Sequence, residues 1–196
     1  MKIDKRKIVA YTFIVTLLFS CGKKEEKQEP VTQTTTQTVK KTEKKEKKPK
    51  LEEGQLLVEI TDADGDYTNL RRTPNGQIVY QLPTSASYRL VVEEPTKGWW
   101  QIANNTVEKI KKKGKTKKVE LPEGVVLVHS SVLSVETNNK EGQKLELKKA
   151  PDKDAEEEYS FSKPMEFRPV DIRGKWVKVS TIDNKRSGWI KIKNLK

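Results

Sequence analysis

From Leu51 to Lys196 the chain has no stretch in which apolar residues recur every three or four positions. Short runs rich in Val, Ile, Trp and Tyr instead alternate with turn residues at close, regular intervals. A helix needs the first pattern to present one apolar face, and a half-buried strand needs an alternation of two. The runs LLVEIT (56–61), TNLRR (68–72), IVYQL (78–82), YRLVVEE (88–94) and WWQIA (99–103) suit strands. So do VVLVHS (125–130), KLELKK (144–149), MEFRPV (165–170), WVKVST (176–181) and GWIKIK (188–193). The predicted class is all-β.

An internal repeat divides this region into two units, 51–142 and 143–196. NLRRTP (69–74) lines up with LELKKAP (145–151), KGWWQIA (97–103) with RGKWVKV (173–179), and LVHSSVL (127–133) with WIKIKNL (189–195). Trp100 and Leu127 are 27 positions apart, whereas Trp176 and Trp189 are 13 apart. The first unit therefore carries an insertion, for which VEKIKKKGKTKKVEL (107–121) is the candidate. It alternates on both sides of Gly114 and predicts a β-hairpin.

The first fifty residues are of another kind. Residues 1–20 open with Lys2, Lys5, Arg6 and Lys7 and continue with twelve mostly apolar residues, Ile8 to Phe19. A spanning helix needs about 20 such residues, so the segment predicts a signal peptide. LFSC (18–21) resembles the bacterial lipobox, which implies that Cys21, the sole cysteine, carries acyl chains such as palmitate and holds the protein on a membrane. Gly22, in place of the Asp that would retain it at the inner membrane, implies the outer membrane. KKEE (23–26) resembles an export tag of surface lipoproteins, and linker composition explains it equally well. Residues 21–50 hold only Val31, Val39 and the Cys as apolar side chains, too few to offset the entropy of ordering, and predict a disordered tether.

The net charge of +12 is concentrated outside the head: the leader contributes +3, residues 22–50 +5 and residues 51–196 only +4. With an envelope location, this argues against a nucleic-acid partner. Seven lysines and no acid occupy 109–118, among them Lys111, Lys112, Lys113, Lys115, Lys117 and Lys118, while the rest of 51–142 has five basic and thirteen acidic residues. A cationic hairpin suits a polyanion or anionic lipid, and lysines equally serve to keep an edge strand from aggregating.

DADGDY (62–67) places Asp62, Asp64 and Asp66 like the first ligands of a calcium loop. That loop needs Gly at position 6 and Glu at position 12, where this chain has Tyr67 and Thr73. A polar turn is the simpler reading, and no metal or other cofactor is expected. His129 is the sole histidine and no G-x-S-x-G elbow exists. Zinc would need several clustered His or Cys ligands, so an enzyme is not expected.

The segment from Asp64 to Leu133 resembles the bacterial SH3-like family, through DGDYTNLRRTP, an apolar strand ahead of GWWQIA, and the closing VHSSVL. Residues 143–196 share the Trp strand and the ending SGWIKIKNL but lack the Asp-Gly-Tyr opening. The resemblance implies two small β-barrels that bind cell-wall peptides or envelope proteins without catalysis. The alternative is a surface interaction protein, an adhesin or an inhibitor of a wall-acting enzyme. Tyr67, Asn69 and Arg71 lie at spacing two and should share a strand face, with Tyr88 and Trp99 as further candidates. An aromatic beside an amide and a guanidinium suits a peptide carboxylate. Alternatively Tyr67 packs inward and Arg71 pairs with an acid such as Glu93. Trp100 and Trp176 align as core residues, which leaves Trp99 facing outward. Oligomeric state is not legible.

Overall fold

The computed structural model describes residues 49–61, 65–111 and 114–196. The leader, Cys21 and nearly all of the tether lie outside the described residues, as do Asp62, Asp64, Lys112 and Lys113. Residues 47–196 form one compact unit. Its strands are β1 (Leu56–Ile60), β2 (Tyr67–Arg71), β3 (Ile78–Pro83), β4 (Ser87–Thr96), β5 (Trp99–Ile110), β6 (Thr116–Glu120) and β7 (Leu127–His129). They continue with β8 (Leu133–Glu136), β9 (Leu145–Lys148), β10 (Glu157–Phe161), β11 (Glu166–Arg173), β12 (Trp176–Thr181) and β13 (Ser187–Lys191). The protein is all-β, with no α-helix among the described residues. All pairings are antiparallel, in the order β10-β9-β13-β12-β11-β8-β1-β4-β5-β7-β2-β3, and β6 lies beside β5.

Alternation builds the strands. On β4, Tyr88, Leu90 and Val92 are buried while Ser87, Arg89 and Val91 are more exposed. The same phase buries Leu56 and Val58 on β1, and Val177 and Val179 on β12. These residues, with Trp100, Leu133 and Phe167, belong to one continuous hydrophobic cluster.

The register repeats across the two halves. Arg71 of β2 pairs with Leu127 of β7, and Lys148 of β9 pairs with Trp189 of β13. Trp100 pairs with Val128, and Val177 with Ile190. A one-turn 3-10 segment follows each closing strand, Ser130–Val132 and Ile192–Asn194. Strand β8 serves both halves: it pairs with β1 through Ile60↔Leu133 and with β11 through Phe167↔Val135.

This register corrects the alignment of the tryptophans by one position. Trp99 and Trp176 each follow a two-residue turn and begin their strands, opposite Thr96 and Arg173. The glycine is second in the first turn (Lys97-Gly98) and first in the other (Gly174-Lys175). Lys97 and Gly98 both have positive φ, +48° and +82°, the requirement of a type I′ turn, whereas in the second turn only Gly174, at +54°, does. Matching glycine to glycine therefore slips the strands by one. The counterpart of buried Trp100 is Val177, and Trp176 is only half-buried.

Candidate functional site

Tyr67, Asn69 and Arg71 do share one face of β2, in the phase opposite to buried Thr68 and Leu70. Two of the three are occupied by their own fold. Arg71 Nη1 donates to the carbonyl of Gly76 and braces the turn after β2, in which Gly76 N–H donates to Thr73 O at 2.9 Å. Asn69 Oδ1 accepts from Gln81 Nε2 across the β2–β3 ladder at 2.8 Å. Arg71 does not pair with Glu93, whose carboxylate accepts from Gln55 Nε2 at 2.9 Å. Tyr67 is 50% exposed and is the one aromatic of this face open to solvent.

Tyr88 does not join this face. It is 3% exposed, in phase with Leu90 and Val92, and its strand pairs with β1 and β5 rather than with β2. Burial, with a smaller contribution from Tyr80, pushes its phenol pKa up.

Trp99 was expected to face outward and instead is 7% exposed. It lies directly opposite His129, whose ring meets it edge-on with centroids 4.9 Å apart. His129 Nδ1 accepts from the Ser131 backbone N–H at 3.3 Å and sits 2.7 Å from Ser131 Oγ. The imidazole therefore caps the 3-10 turn and covers the indole, and its hydrogen-bond partners among the described residues stop at Ser131. No group of three or more His, Cys, Asp or Glu among the described residues is placed to hold a metal ion.

The corresponding place in the second half is open. Trp176 stands where Trp99 stands, and Lys191, directly opposite it, takes the place of His129. Lys191 Nζ lies 5.2 Å from the Trp176 ring centroid, a cation–π contact. Without an imidazole lid the indole lines a groove of about 880 Å³. One wall is the segment from Leu51 to Gln55, another the loop Pro151–Asp154, and the rest comes from Lys175, Ile192 and Lys193. Among the described residues Lys175, Lys191 and Lys193 have no carboxylate within 4 Å. Lys153 has only Asp154, at 3.7 Å.

A second groove of about 400 Å³ shares Trp176, Lys153, Lys191 and Lys193 and adds Lys144, Glu146 and Lys148. Glu146 accepts from Lys148 at 2.7 Å and Lys144 at 3.2 Å, and these two cations hold its pKa at about 2. Together the grooves offer an aromatic surface beside Lys175, Lys191 and Lys193, with Glu52, Glu53, Asp152 and Asp154 also lining the larger one. That mixed lining takes a ligand with a flat or apolar body and charged groups, a carboxylate against the lysines or a cation against the acids.

Sequence reasoning missed this site. The alignment placed Trp176 in the core, and the groove walls come from three segments far apart in the chain. The order of glycine in the two turns, KG against GK, is the signal that would have corrected the phase.

The Lys-rich segment forms the hairpin of β5 and β6, closed by Lys111 N–H donating to Lys115 O at 2.6 Å. Lys111, Lys115, Lys117 and Lys118 are exposed, and Lys109 is half-buried. Lys109 is directly opposite Lys117, and Lys118 is opposite Glu108.

No protein-family model matches the chain, and no curated protein does. Two solved structures are similar in part, NlpC1 and NlpC2 from Trichomonas vaginalis, at 10% and 11% identity and a TM-score of 0.29 in both cases. The likeness covers 76% and 72% of this chain, and the chain spans about half the length of either structure, 48%. At that score neither fixes a fold family or an activity.

Proposed function

We propose that the protein is a non-catalytic lipoprotein of the bacterial cell envelope, anchored through Cys21. Its head, two SH3-like barrels joined through β8, binds a carboxylate-bearing cell-wall peptide or a wall-associated protein. The observation that carries this reading is the half-buried Trp176 under Lys191, in a groove of mixed charge where, among the described residues, Lys175 and Lys193 form no ion pair. Wall peptides combine small apolar side chains with free carboxylates, which suits an indole with Lys191 over its ring and Lys175 and Lys193 in the same groove. The repeated register of the two halves supports a pair of related small barrels.

The test is co-sedimentation of residues 47–196 with purified peptidoglycan. Truncating a buried aromatic anchor costs a binding interface about 2 kcal/mol or more, roughly thirtyfold. Trp176→Ala should therefore abolish pelleting at micromolar protein, and Lys191→Gln with Lys193→Gln should weaken it, while Arg71→Ala should leave it unchanged. A head that pellets equally well with Trp176→Ala refutes the groove as the site. A head that ignores peptidoglycan but retains one envelope protein favours the interaction-protein alternative.

A further inference from the structure

The groove over Trp176 is lined by opposite charges that do not meet. Lys175, Lys191 and Lys193 line it together with Glu52, Glu53 and Asp152. Among the described residues none of these six forms an ion pair. The two signs enter on different elements. Lys191 ends β13 directly opposite Trp176, and Lys193 follows it in the 3-10 turn Ile192–Asn194. That turn is tied to the one before β12 by Ile192 N–H, which donates to Lys175 O at 3.0 Å.

The acids come from two turns that their own hydrogen bonds hold. In the segment before β1, Glu52 N–H donates to Gln55 Oε1 at 3.1 Å, and Gln55 N–H donates to Glu52 O at 3.2 Å. Gln55 Nε2 donates in turn to Glu93 at 2.9 Å. Glu53 lies inside this turn, and its Oε1 is 3.3 Å from the point where a side chain at Gly174 would begin. Gly174 is two residues before Trp176, so this carboxylate stands beside the start of the tryptophan strand. In the loop Pro151–Asp154, Asp152 Oδ1 accepts from Asp154 N–H at 2.8 Å, which leaves its Oδ2 without a hydrogen-bond partner among the described residues. Exposed side chains of opposite sign gain little from pairing, so their separation here is unstrained. Its consequence is that both signs are offered around one indole, from turns that are set before a ligand arrives.

We infer that the groove takes a zwitterionic ligand, a short peptide that carries a free side-chain ammonium as well as a free carboxylate, with its aliphatic stem lying on Trp176. The inference rests on the reading of this groove as the wall-peptide site and names the form of wall peptide it selects. The carboxylate meets Lys191 and Lys193, and the ammonium meets Glu53 and Asp152. A wall peptide whose diamino acid has its side-chain amine free carries both groups. Cross-linking through that amine turns it into a neutral amide, which keeps an N–H donor but loses the charge. A hydrogen bond between a carboxylate and an ammonium contributes more than one to a neutral amide, by about tenfold in affinity. A ligand with carboxylates alone would also be repelled by the acids of the groove. The groove therefore favours peptide that has not been cross-linked.

The experiment is an NMR titration of residues 47–196, which hold the whole hydrophobic cluster, followed at the Trp176 indole N–H. The probe is the peptide acetyl-Ala-γ-Glu-Lys-Ala in three forms: with its lysine amine and carboxylates free, acetylated at that amine, and amidated at the carboxylates. The free form should bind, and each of the others about tenfold more weakly. Glu53 and Asp152 are both exposed, so Glu53→Gln with Asp152→Asn leaves the core untouched. That variant should bind the free form about tenfold more weakly and the acetylated form as the wild type does. Equal affinity for the free and acetylated forms, or a Glu53→Gln, Asp152→Asn variant that still prefers the free form as strongly as the wild type, overturns the inference. If Trp176→Ala then removes binding of both forms, the groove stands as the wall-peptide site and only the preference for a free ammonium falls. No response to any of the three forms overturns both readings.

Discussion

Phe167→Ala tests whether the two halves unfold as one. Phe167 is fully buried on β11, with its ring 5.4 Å from that of Phe161, and it pairs with Val135 of β8 and Thr181 of β12. Removing a buried phenyl ring costs about 3–5 kcal/mol. For a unit of 150 residues, residues 47–196, the melting temperature should fall by roughly 6–20 °C, at about 2–4 °C per kcal/mol. Strand β8 continues the damage into the first half, because it also pairs with β1 through Glu59↔Ser134 and Ile60↔Leu133. The assay is a thermal melt combined with native-state hydrogen exchange of 99–103 and 176–180. Both peptides should lose protection by the same factor in the variant, and the melt should remain a single transition. If 176–180 exchanges faster while 99–103 keeps its protection, or the melt splits in two, the reasoning from a continuous core through β8 fails.

Gly98→Ala should cost about 1–2 kcal/mol in a denaturant titration, because an L-residue is strained at φ +82°. Its Cβ would also meet His129 Nε2 at 3.3 Å, so Trp99 emission should shift as the imidazole lid moves, and an unchanged midpoint contradicts the turn assignment. Glu146, with its folded pKa lowered from 4.5 to about 2 by Lys148 and then Lys144, contributes stability that is fully present above pH 4.5 and lost as pH falls through 2. Glu146→Gln should therefore flatten the acid side of the stability profile between those values, and carboxyl NMR should find the Glu146 midpoint near 2, with a midpoint near 4.5 refuting the paired geometry.

The strands were legible wherever alternation was strong, as in YRLVVEE and WVKVST, because burial on one face leaves a two-residue period in the sequence. Two strands left no such mark. Strand β8 is four residues long and has Leu133, Ser134 and Val135 all buried between two neighbouring strands, which erases the period. Strand β10 opens with exposed Glu157 and Glu158 at the end of an acidic run. The face shared by Tyr67, Asn69 and Arg71 followed from spacing alone, but its occupation by Gln81 and the Gly76 carbonyl depends on how the following turn closes. The groove at Trp176 was hidden for two physical reasons. A glycine moved by one place inside a turn of unchanged length reverses which indole is buried, and residues 51–55 and 151–154 meet only after the sheet is assembled.

The place of β1 in the sheet order has a mechanical consequence. Any force transmitted through the residues before Leu51 enters the head at β1, which lies between β4 and β8 rather than at an edge. An edge strand can be peeled away one hydrogen bond at a time. A strand bonded on both sides, here through Leu56↔Val92 to Ile60↔Tyr88 on one flank and Glu59↔Ser134 on the other, is loaded in shear, and its bonds must yield together. The head is thus built to hold against a pull along the segment that leads to it.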